Sequence, residues 1–331
     1  GEWTAEEEAM AVALDARFGA DEWLRQRDGL RQPGVKIHQD VQVYAGLFDG
    51  AEQSELQVAP GRLIYVHVAR GRVVANDAVL EAGPIALEYF RRPMAVSDKR
   101  LGGQYDPVTE ADRRIEALIR ERLRDVFPGH RVVGEEHGAE GEGEDCWYID
   151  PIDGTRAFIS GMPTWGILLG LVVQGRPRVG IMHQPYTGET WYAAPGVGAR
   201  LRIGDREYVL QTRADAELAD AVLYSTHPSM FREPGLLERY QRLAASCRLQ
   251  RWGGDCYALA LVAQGGIDVM VESGLMPYDI LPLVPIIEAA GGVVTNLEGR
   301  TPLAGGTVIA AANPALHAAA LEIMTGTATG S

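Results

Sequence analysis

The most constraining feature of this chain is an apolar run, Cys146-Trp147-Tyr148-Ile149, that ends on Asp150-Pro151-Ile152-Asp153-Gly154-Thr155. Such a run stopped by Pro and Gly reads as a strand entering a turn. Two carboxylates three residues apart at a strand end, with a Pro between them, can face one site. Oxygen-only ligands of this kind suit hard cations such as magnesium. The Gly lets the backbone turn sharply, and amides exposed there suit a phosphate. Asp, Pro and Gly are also common turn formers, so taken alone the motif reads equally as an acidic turn.

Further acids stand at similar places. Glu135 and Glu136 follow Val132-Val133-Gly134, another strand end, and Asp106-Pro107-Val108-Thr109-Glu110-Ala111-Asp112 opens a helix. Asp279 closes Met276-Pro277-Tyr278-Asp279. Singly, Asp106 and Asp279 fit turns or N-caps, and Asp112 fits a first-turn acid that complements the helix dipole.

The chain changes character near residues 80–88. Before it, Val35–His38, Val41–Tyr44, Leu63–Val68 and Arg72–Val74 read as short strands between turn dipeptides, behind a helix over residues 4–27. After it, helix and strand alternate. Ala111, Ile115, Leu118, Ile119 and Val126 recur at helical spacing behind a capping-box-like Thr109 and Asp112. Gly166–Val173 and Arg178–Met182 read as strands, and Asp255–Gln264 and Pro314–Met324 as helices. This alternation predicts layered α/β structure.

Forty-six per cent of the 331 residues are hydrophobic, enough for a sizeable core, and the net charge is −14. That charge disfavours nucleic acid and anionic membranes as partners. No apolar run approaches the ~18 residues of a membrane span. Three scattered cysteines and a start without a signal-peptide pattern predict a cytoplasmic protein.

Taken in order, Asp106–Thr109 with Asp112, Gly134-Glu135-Glu136, Asp150–Thr155, Tyr278-Asp279 and Glu288-Ala289-Ala290-Gly291-Gly292 resemble the inositol monophosphatase superfamily. The resemblance spans about residues 82–325. It implies an α/β fold layered α-β-α-β-α over residues 81–325, a homodimer, and a site for two or three magnesium ions. It makes Glu135, Asp150, Asp153 and Asp279 metal ligands, with the Ile152 carbonyl as a fifth. It makes Thr155 and Asp112 the pair that activates the attacking water, with Glu135 beside them in the catalytic set. Asp106 then shapes the turn before the helix, and the Gly154 and Thr155 amides hold phosphate oxygens. Tyr278 stands where Trp is common in the superfamily.

Asp153–Gly161, Gly253-Gly254-Asp255-Cys256-Tyr257 and Glu272–Asp279 resemble the histidinol-phosphate phosphatase branch. The substrate, a small phosphorylated metabolite, then carries an ammonium and an imidazole that Asp255 and Glu272 can recognise by charge-assisted hydrogen bonds. Asp255 also fits as the cap of the helix that follows it. Arg156 fits a phosphate contact or a surface ion pair. His137, His183 and His227 fit incidental, surface or core positions, and Trp165, Trp191 and Trp252 fit packing.

Residues 33–80 resemble, more weakly, part of a pirin-like cupin, giving residues 1–80 the look of a helix plus a small mostly-β docking segment. Three readings stand together. One is a magnesium-dependent histidinol-phosphatase of histidine biosynthesis. Another is a sister phosphatase acting on inositol phosphates or another small phosphoester. The third is a metal-binding interaction protein with an inactive site.

Overall fold

The computed structural model describes residues 74–93, 95–98 and 107–326. Two units, Gly1–Val73 and Val74–Ser331, divide the chain, and every described residue belongs to the second. The strands and helix expected before residue 74, and Asp106, lie outside the described residues.

Helix α1 (Val74–Tyr89) opens the unit. Ala75, Ala78, Val79, Ala82 and Ala86 recur at helical spacing and are all buried, so one apolar stripe holds the helix down. Val74 therefore starts a helix instead of ending a strand, and α1 runs unbroken through the 80/81 position expected to divide the chain.

A short antiparallel pair follows, β1 (Val96–Asp98) with β2 (Pro107–Thr109), and α2 (Glu110–Val126) continues from it. Thr109 caps α2 with the expected capping box. Val126, expected on the apolar face, is 46% exposed in the last turn; Leu123 takes the inward position one turn earlier.

Eight strands form the first sheet: β3 (Arg131–Gly134), β4 (Gly138–Glu140), β5 (Cys146–Asp153), β6 (Gly166–Val173), β7 (Arg176–Gln184), β8 (Glu189–Ala194), β9 (Gly198–Ile203) and β10 (Arg206–Val209). Their spatial order is β10-β9-β8-β7-β6-β5-β3-β4. Only the β3–β5 pairing is parallel. Helix α3 (Thr155–Ser160) leaves the end of β5.

The second sheet has five strands: β11 (Val222–Ser225), β12 (Leu249–Trp252), β13 (Val269–Leu275), β14 (Val293–Asn296) and β15 (Gly306–Ala311), in the order β12-β11-β13-β15-β14. Between them in sequence come α4 (Leu236–Ser246), α5 (Asp255–Ala263), α6 (Pro277–Ile280) and α7 (Val284–Ala289), with α8 (Pro314–Thr325) last.

Side-chain alternation sorts these elements into five layers. Ile167 and Leu169 of β6 join Ile181 of β7 in one core under α1 and α2. Their neighbours Leu168 and Met182 face the other way, into a core shared with α5, α7 and the second sheet's Met270 and Ala310. Val269, Val271, Ile309 and Ala311 face outward to meet α4 and α8. The order is helices, sheet, helices, sheet, helices, as the resemblance implied. Strand β6 is apolar throughout because both its faces are covered.

Gly170 of β6 and Gly180 of β7 are cross-strand partners in the first sheet. A Cβ on Gly180 would stand 2.0 Å from the Pro282 carbonyl oxygen, and one on Gly170 would stand 2.8 Å from the Pro282 Cα. The two glycines make a bare patch on which Pro282 of the α6–α7 turn lies, three residues after Asp279 of α6.

Candidate active site

Strand β5 delivers Asp150, Ile152 and Asp153 to one end of the first sheet, where its pairing with β6 is irregular between Asp150 and Asp153. Asp150 is buried, and its Oδ1 accepts from the Ile152 amide at 3.1 Å. Gly154 then takes φ +82°, a left-handed conformation that L side chains rarely adopt, and turns the chain into α3. A Cβ on Gly154 would also meet the Asp255 Cβ at 2.9 Å. Glycine is required there twice over.

Asp150, Asp153 and Asp279 each offer a carboxylate oxygen within 4.8 Å of the others. The α5 amide of Cys256 holds Asp153 Oδ2 at 2.8 Å, and the Met276 amide holds Asp279 Oδ2 at 2.8 Å. Glu135, just past β3, lies outside this triplet, yet its charge raises the pKa of both Asp150 and Asp279. Burial is the largest cause of each upward shift, and the neighbouring carboxylates add to it for Asp150 and Asp279. Buried acids that oppose one another's ionisation are satisfied by protons or by a cation. All the donors are oxygens, which fits a hard divalent ion and not a soft one.

Asp112 is fully buried on α2, and its Oδ2 accepts from the Thr109 amide at 2.8 Å and the Thr109 hydroxyl at 2.6 Å. Its Oδ1 has no hydrogen-bond partner among the described residues. Burial lifts its pKa to about 6 against the pull of those two bonds. The Thr155 hydroxyl, expected to pair with Asp112, donates to the Ile152 carbonyl at 3.1 Å. The capping geometry explains the difference, because Thr109 is three residues from Asp112 on the same turn.

A cavity of about 430 Å³ opens beside these acids. Gly154, Thr155, Arg156, Asp255 and Asp279 line it, as do Thr226, Met230, Arg232, Glu233, Ser273 and Thr307. Gly254 is the N-cap of α5, so Asp255 is not the cap. Its carboxylate instead accepts from the Thr164 hydroxyl at 3.0 Å, with its backbone at φ +45°. Burial first, then the Asp153 charge, raises its pKa to about 7.

Glu272 is 3% exposed and stands behind the cavity wall, where it accepts from the Thr226 amide at 2.6 Å. Its other oxygen has no partner among the described residues, and burial raises its pKa to about 8. Arg156 is exposed at the cavity mouth. Sequence reasoning missed Thr226, Ser273 and Thr307. Their one signal is position at the ends of β11, β13 and β15, where such sheets gather ligand-facing residues.

His183 is buried, with Nδ1 2.9 Å from the Thr190 hydroxyl, and burial lowers its pKa to about 4; His227 caps a short turn. Trp165 and Trp191 are fully buried, and Trp252 packs on Tyr240 with ring centroids 4.8 Å apart. None of these five side chains lines the cavity.

No helix among the described residues is long and apolar enough to cross a membrane. Residues 68–326 match the model of the inositol monophosphatase family, and residues 21–85 match that of the quercetinase C-terminal cupin domain. The chain is 35% identical over 276 residues to a chloroplastic bifunctional phosphatase, IMPL2, of Arabidopsis thaliana, covering 80% of this chain and 78% of that one. It is 36% identical over 245 residues to a histidinol-phosphatase of Chlorobaculum parvum, covering 73% and 92%. Among solved structures, an inositol monophosphatase from Zymomonas mobilis aligns with a TM-score of 0.67 at 35% identity, covering 76% of this chain and 96% of that one. The chain belongs to the inositol monophosphatase family and is a phosphoric monoester hydrolase.

Proposed function

We propose that the chain is a magnesium-dependent phosphatase that hydrolyses histidinol-phosphate to histidinol and phosphate. The observation that carries the substrate is Asp255. It is a half-buried carboxylate on the cavity lining, next to Gly154 and Thr155, the residues proposed to hold the phosphate. An ammonium beside the phosphoester gives such a carboxylate a partner that a neutral polyol does not.

Glu135, Asp150, Asp153, Asp279 and the Ile152 carbonyl would hold the magnesium, which supplies an acidified water and a counter-charge for the transferring phosphoryl group. The chain's own groups do the rest. The Gly154 and Thr155 amides orient the phosphate oxygens. Asp112 Oδ1, buried and without a protein partner among the described residues, accepts a proton from the attacking water. Asp255 orients the ammonium, and Thr164 and Thr226 hold Asp255 in place through bonds of 3.0 and 3.1 Å.

A second reading, an inositol phosphate, is favoured by the hydroxyl pair Ser273 and Thr307 on the cavity wall, 2.9 Å apart. Phosphate release from histidinol-phosphate and inositol-1-phosphate, each with magnesium and with EDTA, decides between them. Magnesium-dependent preference for the first supports the proposal, and Asp255→Ala then erodes that preference. Activity on the inositol ester alone overturns it.

A further inference from the structure

Helix α2 buries three ionisable side chains, Asp112, Glu116 and Arg120, each one turn after the last, among Ile115, Ile119 and Leu123. Charged residues are almost never fully buried unless paired. Glu116 has no exposed surface and Arg120 has 6%, and Arg120 Nε lies 2.7 Å from Glu116 Oε1.

The pair reaches further than itself. Glu116 Oε2 accepts from the Glu136 amide at 2.6 Å, and Oε1 accepts from the His137 amide at 3.2 Å. The His137 ring nitrogen Nδ1 lies 3.4 Å from the same carboxylate. Arg120 donates to the Gly138 carbonyl and, at 3.4 Å, to Glu140. Both gripped amides follow directly on Glu135. A Cβ on Gly134 would stand 2.2 Å from Glu116 Oε1, so the carboxylate passes against the residue just before Glu135 as well.

A buried ion pair is weak evidence of stabilisation, since well-packed apolar residues often do as well. Charge-assisted bonds to two consecutive amides, by contrast, fix a backbone in place. We propose that Glu116, braced by Arg120, is a positioning residue that holds the backbone carrying Glu135 and so sets the site's affinity for its divalent cation. This rests on the reading of Glu135 as a cation ligand. Asp112 and the support of Glu135 then stand on one rigid element, α2, four residues apart.

The test is calorimetric titration of magnesium into the metal-free, full-length protein, for the native chain and for Glu116→Gln, Arg120→Lys and Glu135→Gln. The amide in Glu116→Gln keeps the size of the side chain but sets a donor against one of the donors it must accept from. The dissociation constant is expected to rise about 10–100-fold, the usual cost of losing support behind a ligand. At a magnesium concentration that saturates only the native site, kcat falls while the KM for the phosphoester stays at the native value, and saturating magnesium restores kcat. Should Glu116→Gln fail to fold, Arg120→Lys, which keeps the buried charge, is read in the same way. A folded Glu116→Gln protein with native magnesium affinity overturns the proposal. If Glu135→Gln also binds natively, the ligand reading fails with it; if Glu135→Gln binds weakly, only the positioning role is lost.

Discussion

Replacing Gly180 by alanine isolates the contact that brings Asp279 to the other acids. Gly180 does not have a positive φ, so its backbone admits alanine without strain. The loss of unfolded-chain freedom would by itself stabilise the protein by about 0.4–1 kcal/mol. Against this, the new methyl would stand 2.0 Å from the Pro282 oxygen and 3.2 Å from Ile286 Cγ1. The turn must retreat from the sheet, at a cost of about 1–3 kcal/mol for an added methyl in a packed core. Net of that gain, the thermal midpoint falls by up to roughly 10 °C for a unit of this size. Pro282 is three residues from Asp279, so the same retreat shifts the carboxylate, and a displacement of about 1 Å near reacting atoms costs roughly 10²-fold in rate. Differential scanning fluorimetry and phosphate release measure the two effects, with Gly129→Ala as control because nothing lies within 4 Å of its added Cβ. A Gly180→Ala enzyme with the midpoint and rate of the control would refute the account of how Asp279 is placed.

Three more outcomes are expected. Asp153→Asn, which removes one of the three clustered carboxylates, abolishes turnover; retained native turnover in a phosphate-release assay would displace Asp153 from the site. Magnesium at about 100 times its dissociation constant raises stability by about 2.7 kcal/mol, or roughly 5–11 °C in thermal midpoint. EDTA removes that gain, and Asp153→Asn shows little of it. The metal-free protein loses stability as pH rises, because burial raises the pKa of Asp255 to about 7 and of Glu272 to about 8. Raised groups of this kind contribute fully below their unfolded pKa near 4, and that contribution fades as pH climbs through 7 and then 8. Glu272→Gln should flatten the upper part of this profile in a thermal scan across pH, and an unchanged profile would assign the loss elsewhere.

The acids at strand ends were legible because their chemistry is written locally: an apolar run, a carboxylate, a turn residue. The layers were legible too, since Ile167, Leu168 and Leu169 face alternate sides of a strand whose apolar run announces burial on both. What escaped is set by contacts between distant segments. Nothing near Asp279 signals that two glycines on neighbouring strands leave the space its turn occupies. Glu116 reads as an ordinary helical glutamate until the β3–β4 turn is laid across it. Glu272 reads as a substrate contact until its carboxylate is found gripping the Thr226 amide behind the wall. The division has a physical basis. Sequence motifs record which groups must be acidic, while burial first, and then the closeness of charged neighbours at Asp150 and Asp279, decides how far each resists ionisation. Pro282 rests on Gly170 and Gly180, and Glu116 rests against Gly134, two points of contact that contain no ligand. If those contacts set the placement of Asp279 and Glu135, single-atom changes at the two points alter metal affinity while leaving every proposed ligand in the chain.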